Sequence, residues 1–600
     1  MYRLQTREAL ALLATTALVL LSTEPAVPAF QQPDQPPPGV HQYRTLDDRY
    51  PPPRFTSASD WKSRAAYLRE HVLASAGLLP LPSRTPLNPV VFDEIAHRDY
   101  AVSKVYFESL PGFFVTGNLY RPTGSDGPFP AILSPHGHWT YGRFENTALV
   151  SGPGRAINLA RQGFVVFTYD MIGYNDSRQL THTFGGRREN LWGLSLAGLQ
   201  LWNSIRSLDF LQSLPFVQRE ALGVTGESGG GTQTFLLAAA DDRVTVAVPV
   251  NMISLHMQGG CLCENPPGLR LETTNVELAA TIAPRPLLMI SATGDWTNET
   301  LESEYPAVRA IYALLGAEDR VSAVRVTAEH NYNKESREAM YDWMARWLRH
   351  APEGEPPLET SFTPDPLGDL MVFHHRPLPA DAVDAGQLTT NWIESAKRQL
   401  TTTPLALRAA ALGHALSLSK DDARIDPAVL RRNRRTVLLA DAPDLVQPLK
   451  AAGFTVRPIV FTLFHPYAVF SIHHFETYNR TAASQRVADI VAGARAHPGA
   501  ALVASGDAGL AGLLATGLTS LRLAVLDVGR FDTGNDADFL DRFYIPGIRR
   551  AGDFQTAVED ASAVIVVHDA GEHFSVSGPR VLPEKLAPKD IVSLMTQPRH

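Results

Sequence analysis

From about residue 100 the chain alternates apolar and polar positions and then changes to short solid apolar runs. Residues 102–110 and 113–120 alternate and are joined by Pro111-Gly112, which predicts an antiparallel hairpin. Apolar runs at 131–133, 164–167, 222–224, 244–250, 287–290 and 324–326 predict further strands. Helical spacing fills most of the intervals, at 154–162, 194–214, 232–240 and 301–315. A closing helix is expected at 336–348, with Met340, Trp343, Met344 and Trp347 as its packing residues. A hairpin followed by alternating strands and helices implies an α/β domain built on a doubly wound, mostly parallel sheet. Such a sheet carries its chemistry at the carboxyl ends of its strands.

Flanking segments read differently. Residues 30–57 are rich in Pro and Gln and predict an extended leader. Ser59 is the expected cap of a helix whose Trp61, Ala65, Leu68 and Val72 share a face, with Gly77 ending it. That makes 58–98 a helical bracket in front of a main domain at 99–350. Residues 351–385, rich in Pro, Glu and Asp, read as a linker. Helices at 391–400 and 405–417 then precede strands at 436–440, 455–461, 501–504, 521–528 and 563–567, so 386–600 is a second α/β domain.

This second half echoes the first. Gly506-Asp507-Ala508-Gly509 parallels Gly226-Glu227-Ser228-Gly229, each after an apolar strand and before a Leu/Ala-rich helix. Ala451-Ala452-Gly453-Phe454 parallels the run ending Gly163-Phe164, Tyr478-Asn479 parallels Tyr174-Asn175, and Gly571-Glu572 falls where Gly294-Asp295 would. The expectation is a degenerate copy with Ala508 in place of the serine. It would be non-catalytic, covering the first domain's pocket or stabilising that domain.

Composition narrows the possibilities. Six hundred residues exceed what one core usually fills. With 44% hydrophobic and 19% charged residues the chain is globular, and a net charge of -8 gives no reason to expect nucleic acid or an anionic membrane as partner. Arg3 and Arg7 precede an apolar stretch at 9–21 and then Val27-Pro28-Ala29, the pattern of a cleavable signal peptide over 1–29. A periplasmic or secreted protein without stable membrane insertion is expected, its oligomeric state left open. The cysteines are Cys261 and Cys263. Export would favour pairing them, but a bond across one intervening residue is strained. No metal is expected either, because C-x-C alone supplies too few ligands for a zinc site.

The chemistry centres on Val224-Thr225-Gly226-Glu227-Ser228-Gly229-Gly230-Gly231. G-x-S-x-G between a strand and a helix is a sharp turn that lifts a serine hydroxyl above the sheet. The Gly229 amide, at the helix N-terminus, is placed to meet a developing oxyanion. A second amide is assigned to His138 in Ser134-Pro135-His136-Gly137-His138-Trp139, with Trp139 next in line. Asp295 and His330 follow later strands, giving the order Ser228, Asp295, His330 of a triad in this architecture. Asp170 and Glu299 are rival acids, and His136 and His256 rival bases, but they fall too early or on the wrong strand. Asp170 is expected to be structural. Trp139, Trp296 and Tyr332 are expected to wall the pocket. Glu264, in the loop 257–268, is expected to reach substrate.

Residues 60–350 resemble exported bacterial α/β-hydrolases of the acetyl-xylan-esterase-like or dienelactone-hydrolase-like type. The resemblance rests on His136-Gly137-His138, Gly226-Glu227-Ser228-Gly229-Gly230, Cys261-Leu262-Cys263-Glu264-Asn265, Gly294-Asp295 and Glu329-His330-Asn331. It implies hydrolysis of a carboxylic ester through an acyl-serine, without a cofactor, on a small-molecule or oligosaccharide ester. A peptidase of the same superfamily and a non-catalytic two-domain binding protein are the alternatives.

Overall fold

The computed structural model describes residues 43–352, 357–420 and 427–596, and the expected signal peptide and the leader before residue 43 lie outside them. Residues 43–596 belong to one compact unit. Its first sheet contains β1 Val90–Ala96, β2 Tyr100–Leu110, β3 Phe113–Pro122, β4 Phe129–Pro135, β5 Val165–Tyr169, β6 Val217–Glu227, β7 Val244–Val250, β8 Leu287–Gly294 and β9 Val321–Glu329. They lie in the order β1-β2-β3-β5-β4-β6-β7-β8-β9. The first three strands are antiparallel, β3 pairs antiparallel with β5, and β5 through β9 are parallel. β1 lies inside the region read as a helical bracket. Its burial pattern alternates only weakly at the sheet edge, so it carried little hydrophobic signal.

The bracket helix is Ala58–Ser75, capped by Ser57, whose hydroxyl accepts from the Asp60 amide at 3.0 Å. Ser59, the expected cap, lies within the helix. Trp61, Ala65, Leu68 and Val72 are buried on one face, and this helix packs on Gly229–Ala240, the helix after β6.

The segment read as a linker is a strap along the first half. Glu359 forms a buried ion pair with Arg337 at 2.6 Å. The Thr360 amide donates to Asn158 at 2.9 Å, and the amides of Val372 and Phe373 donate to Asp176.

The second half holds β10 Thr436–Ala440, β11 Thr455–Pro458, β12 Ala501–Ala504, β13 Leu523–Asp527, β14 Val564–His568 and β15 Arg580–Val581. These are all parallel, in the order β11-β10-β12-β13-β14-β15. The parallel part of the first sheet, β5-β4-β6-β7-β8-β9, has the same order. One apolar core runs through both halves, from Trp61 and Leu68 to Trp392, Leu412 and Phe554.

Two histidines are buried at this junction. His71 and His414 lie with ring centroids 5.5 Å apart beside Tyr67. Burial pushes the His71 imidazole down to about 4, with repulsion from His414 next in size, and Arg64 adds to it against the carbonyl of Gly268. Burial likewise pushes His414 down to about 4, though Glu70 lies 3.5 Å from its ring. Unfolded, each histidine takes its proton near pH 6.5. Their contribution to stability is therefore present above that pH and lost as pH falls toward 4. Each is expected to steepen the loss by about 1.4 kcal/mol per pH unit across that window. Urea midpoints between pH 7 and 4.5 would show this, and His414→Gln should flatten the slope. An unchanged slope in that variant would remove His414 from the account.

Candidate active site

β6 ends at Glu227, and the chain turns at Ser228 into the helix Gly229–Ala240. Ser228 takes φ 57° and ψ -122°, a conformation costly for any residue with a Cβ. Neighbouring backbone enforces it. A Cβ on Gly226 would stand 2.4 Å from the carbonyl oxygen of Pro135, and one on Gly230 would stand 2.6 Å from it. The glycines of G-x-S-x-G are therefore where the end of β4 lies against the elbow. The Ser228 amide donates to Val250 at 3.0 Å, tying the turn to β7.

Asp295 and His330 meet. His330 Nδ1 lies 2.8 Å from Asp295 Oδ2, with the carboxylate buried and the imidazole a quarter exposed. Asp295 Oδ1 accepts from the Thr297 amide at 2.8 Å and from its hydroxyl at 2.5 Å. The Thr297 hydroxyl in turn accepts from the Ala292 amide at 3.1 Å. Trp296 and Trp139 flank the imidazole, with ring centroids 4.6 Å and 6.0 Å from it. Among the described residues Ser228 Oγ forms no hydrogen bond, to His330 or to any other group.

The turn after β4 shows which of its amides are free. Gly137 N–H donates to Glu227 Oε1 at 3.0 Å, and Trp139 N–H donates to the Gly137 carbonyl at 2.9 Å. Among the described residues the amide of His138, between them, makes no hydrogen bond, and neither does that of Gly229. This accounting favours His138 over Trp139 as the second donor.

A buried ion pair holds this arrangement, and sequence reasoning passed over it. Glu227, the residue before the serine, receives Trp139 Nε1–H at 3.0 Å through Oε1 and pairs with Arg155 at 2.7 Å through Oε2. One carboxylate thus fixes the elbow, the His138 turn and the indole beside His330. Its signal was an acidic residue inside an apolar strand end, which demands a buried cation. Arg155, in the helix Gly152–Arg161, supplies it.

One expected wall residue, Tyr332, and the expected substrate contact, Glu264, are elsewhere. Tyr332 is fully buried, its hydroxyl 2.6 Å from Thr225 and its backbone bridged to Val150. Glu264 is buried as well. It accepts from the amides of Gly260 and Cys261 at 2.9 and 3.0 Å and from Thr232 at 3.2 Å, so it shapes the loop and does not face substrate. Three of the four rivals, Asp170, His136 and Glu299, are engaged elsewhere. Asp170 is buried against Arg143, Thr116 and Asn175. Burial pushes His136 down to about 3, and its Nε2 accepts from the Met171 amide. Glu299 pairs with Arg49 at the surface.

The sheet, the strained elbow and the acid–imidazole pair at the carboxyl edge define an α/β-hydrolase fold. No family model matches the chain. It is similar to YtaP of Bacillus subtilis (strain 168), whose name carries a provisional hydrolase assignment, with 26% identity over 257 residues, 40% of this chain and 84% of the relative. Among solved structures it is similar to the methylesterase BT1017, with 29% identity and a TM-score of 0.50, covering 58% of this chain and 78% of the other. A glucuronoyl esterase of carbohydrate esterase family 15 from Caldicellulosiruptor kristjansonii aligns at 18% identity and a TM-score of 0.35, over 54% of this chain and 96% of its own.

Proposed function

We propose that the protein is a serine carboxylic-ester hydrolase working through an acyl-serine. The observation that carries this is the Asp295–His330 hydrogen bond at the sheet edge where Ser228 stands in a strained turn. Ser228 Oγ attacks the ester carbonyl while His330 Nε2 takes its proton. The oxyanion receives N–H bonds from Gly229 and His138. His330 then protonates the departing alcohol, and water releases the acid by the reverse sequence. The serine–imidazole bond forms when substrate arrives, since such contacts are often loose before binding. No cofactor takes part in these steps.

Trp139 and Trp296 frame the imidazole with aromatic faces, which suits a carbohydrate ester. Similarity to a methylesterase adds methyl esters of sugar acids to acetyl esters as substrates to compare.

The second half belongs to the same reading as a degenerate copy. Its strand order repeats that of β5 to β9. Gly163 and Gly453, at φ 90° and 82°, both precede the second strand of their series. The elbow conformation recurs at Gly506, with φ 63° and ψ -130°, directly before the helix Asp507–Thr516. The nucleophile's place is therefore taken by Gly506. Ala508, the sequence-based choice, is buried within that helix. Export through the 1–29 segment completes the proposal.

A fluorophosphonate probe is expected to add to Ser228 alone, read by peptide mass spectrometry. Release of methanol from a methyl-esterified oligouronide, compared with acetate from an acetylated xylan oligosaccharide, then identifies the ester. An unlabelled Ser228 in folded protein would refute the acyl-serine.

A further inference from the structure

The loop after β7 carries Cys261 and Cys263, whose sulfurs are not bonded to each other. Two imidazoles from other loops close on them. His138 comes from the turn after β4, and His182 from the segment after β5. The ligating atoms of these four residues all lie within 4.8 Å of one another. His138 Nε2 is 3.1 Å from Cys263 Sγ, and the two imidazole centroids are 5.2 Å apart. The expectation that C-x-C lacks ligands is corrected here, because the fold brings two more from positions 79 residues or more away in sequence.

His182 supplies an independent pointer. Its Nδ1 lies 2.6 Å from the carbonyl of Ile172 and must donate there, which leaves a lone pair on Nε2. That Nε2 is buried and has no hydrogen-bond partner among the described residues. A backbone carbonyl fixing the remote ring nitrogen is the usual support of a metal-bound histidine. Ester hydrolysis uses none of these four side chains.

We propose that His138, His182, Cys261 and Cys263 bind one Zn2+ in a closed site that pins the loop after β7 to the turn carrying His138. Two sulfurs and two imidazole nitrogens form a donor set suited to zinc, and four protein ligands leave no position for substrate. The ion's role is therefore structural. Each thiol gives its proton to solvent on binding, so two thiolates neutralise the ion and no net charge is buried.

The cradle is preformed. Asn265 donates to the carbonyls of Gly259 and Cys261 at 2.8 Å, and Arg270 donates to the Glu264 carbonyl at 2.7 Å. Tyr478 and Thr477 of the second half bond Asn265 from behind, at 3.0 and 2.9 Å. The site also abuts the elbow, since a Cβ on Gly229 would stand 2.4 Å from His138 Cε1.

The test equilibrates the full chain with ZnCl2 under reducing conditions, removes loose metal by gel filtration and measures retained zinc. One zinc per chain is expected, with His182→Ala and Cys263→Ser each losing at least about tenfold in affinity and His573→Ala losing nothing. Should the variants fail to fold, wild-type protein loaded with Co2+ decides. Intense tetrahedral d–d bands with thiolate-to-metal charge transfer support the site. A wild-type chain that elutes free of zinc, a weak octahedral cobalt spectrum, or a Cys261–Cys263 disulfide persisting under reductant overturns it. Zinc content is read without substrate, so its failure leaves the hydrolase reading intact.

Discussion

Ser228→Ala is expected to lower kcat on an activated acetate ester by about 10^6-fold, the scale seen when the serine of such a unit is lost. The variant should fold, because Ser228 Oγ holds nothing in the resting structure and its amide bond to Val250 remains. Alanine keeps the Cβ that serine already carries at φ 57°, so the strain of the turn is unchanged and the stability should stay near that of the wild type. Circular dichroism and the urea midpoint check the fold while ester cleavage is followed by released nitrophenol. Turnover within tenfold of wild type would move the nucleophile elsewhere.

Asp295→Asn is expected to cost about 10^4-fold in kcat, and the structure explains why the amide cannot rescue itself by flipping. Thr297 donates both its amide and its hydroxyl to Oδ1, and the amide N–H can only donate. The asparagine oxygen must therefore sit at the Oδ1 position. Its NH2 then faces His330 Nδ1, which has to present a lone pair and move its proton to Nε2. In that tautomer Nε2 cannot accept the serine proton. A loss smaller than tenfold in this variant would show that Asp295 does not set the tautomer.

Much of this was legible before any coordinates, for identifiable reasons. The parallel strands are solid apolar runs, and Ser228, Asp295 and His330 each follow one, so sheet topology alone carried them to one edge. Trp139 and Trp296 were legible as neighbours of those positions. Tyr332 was not, because it lies two residues past His330, beyond the end of β9, where a bridge to Val150 and a bond to Thr225 hold the ring in the core. Glu264 looked like a polar loop residue, and only the fold shows its carboxylate filled by Gly260 and Cys261. The torsions of Ser228 recur at Gly506, two positions before Ala508, a likeness of backbone that similar letters did not reveal. The cysteine pair lacked ligands in sequence because its partners lie on separate loops, a juxtaposition that neither spacing nor composition encodes.

The contacts that Thr477 and Tyr478 make with Asn265 bear on how this chain could be rearranged over time. A recombination event that kept the first half and discarded the second would strip the backing from the wall beside the nucleophile. The dispensable-looking half is thus bound to its neighbour's fate, and the gene can shed it only after some other segment has taken over the grip on Asn265.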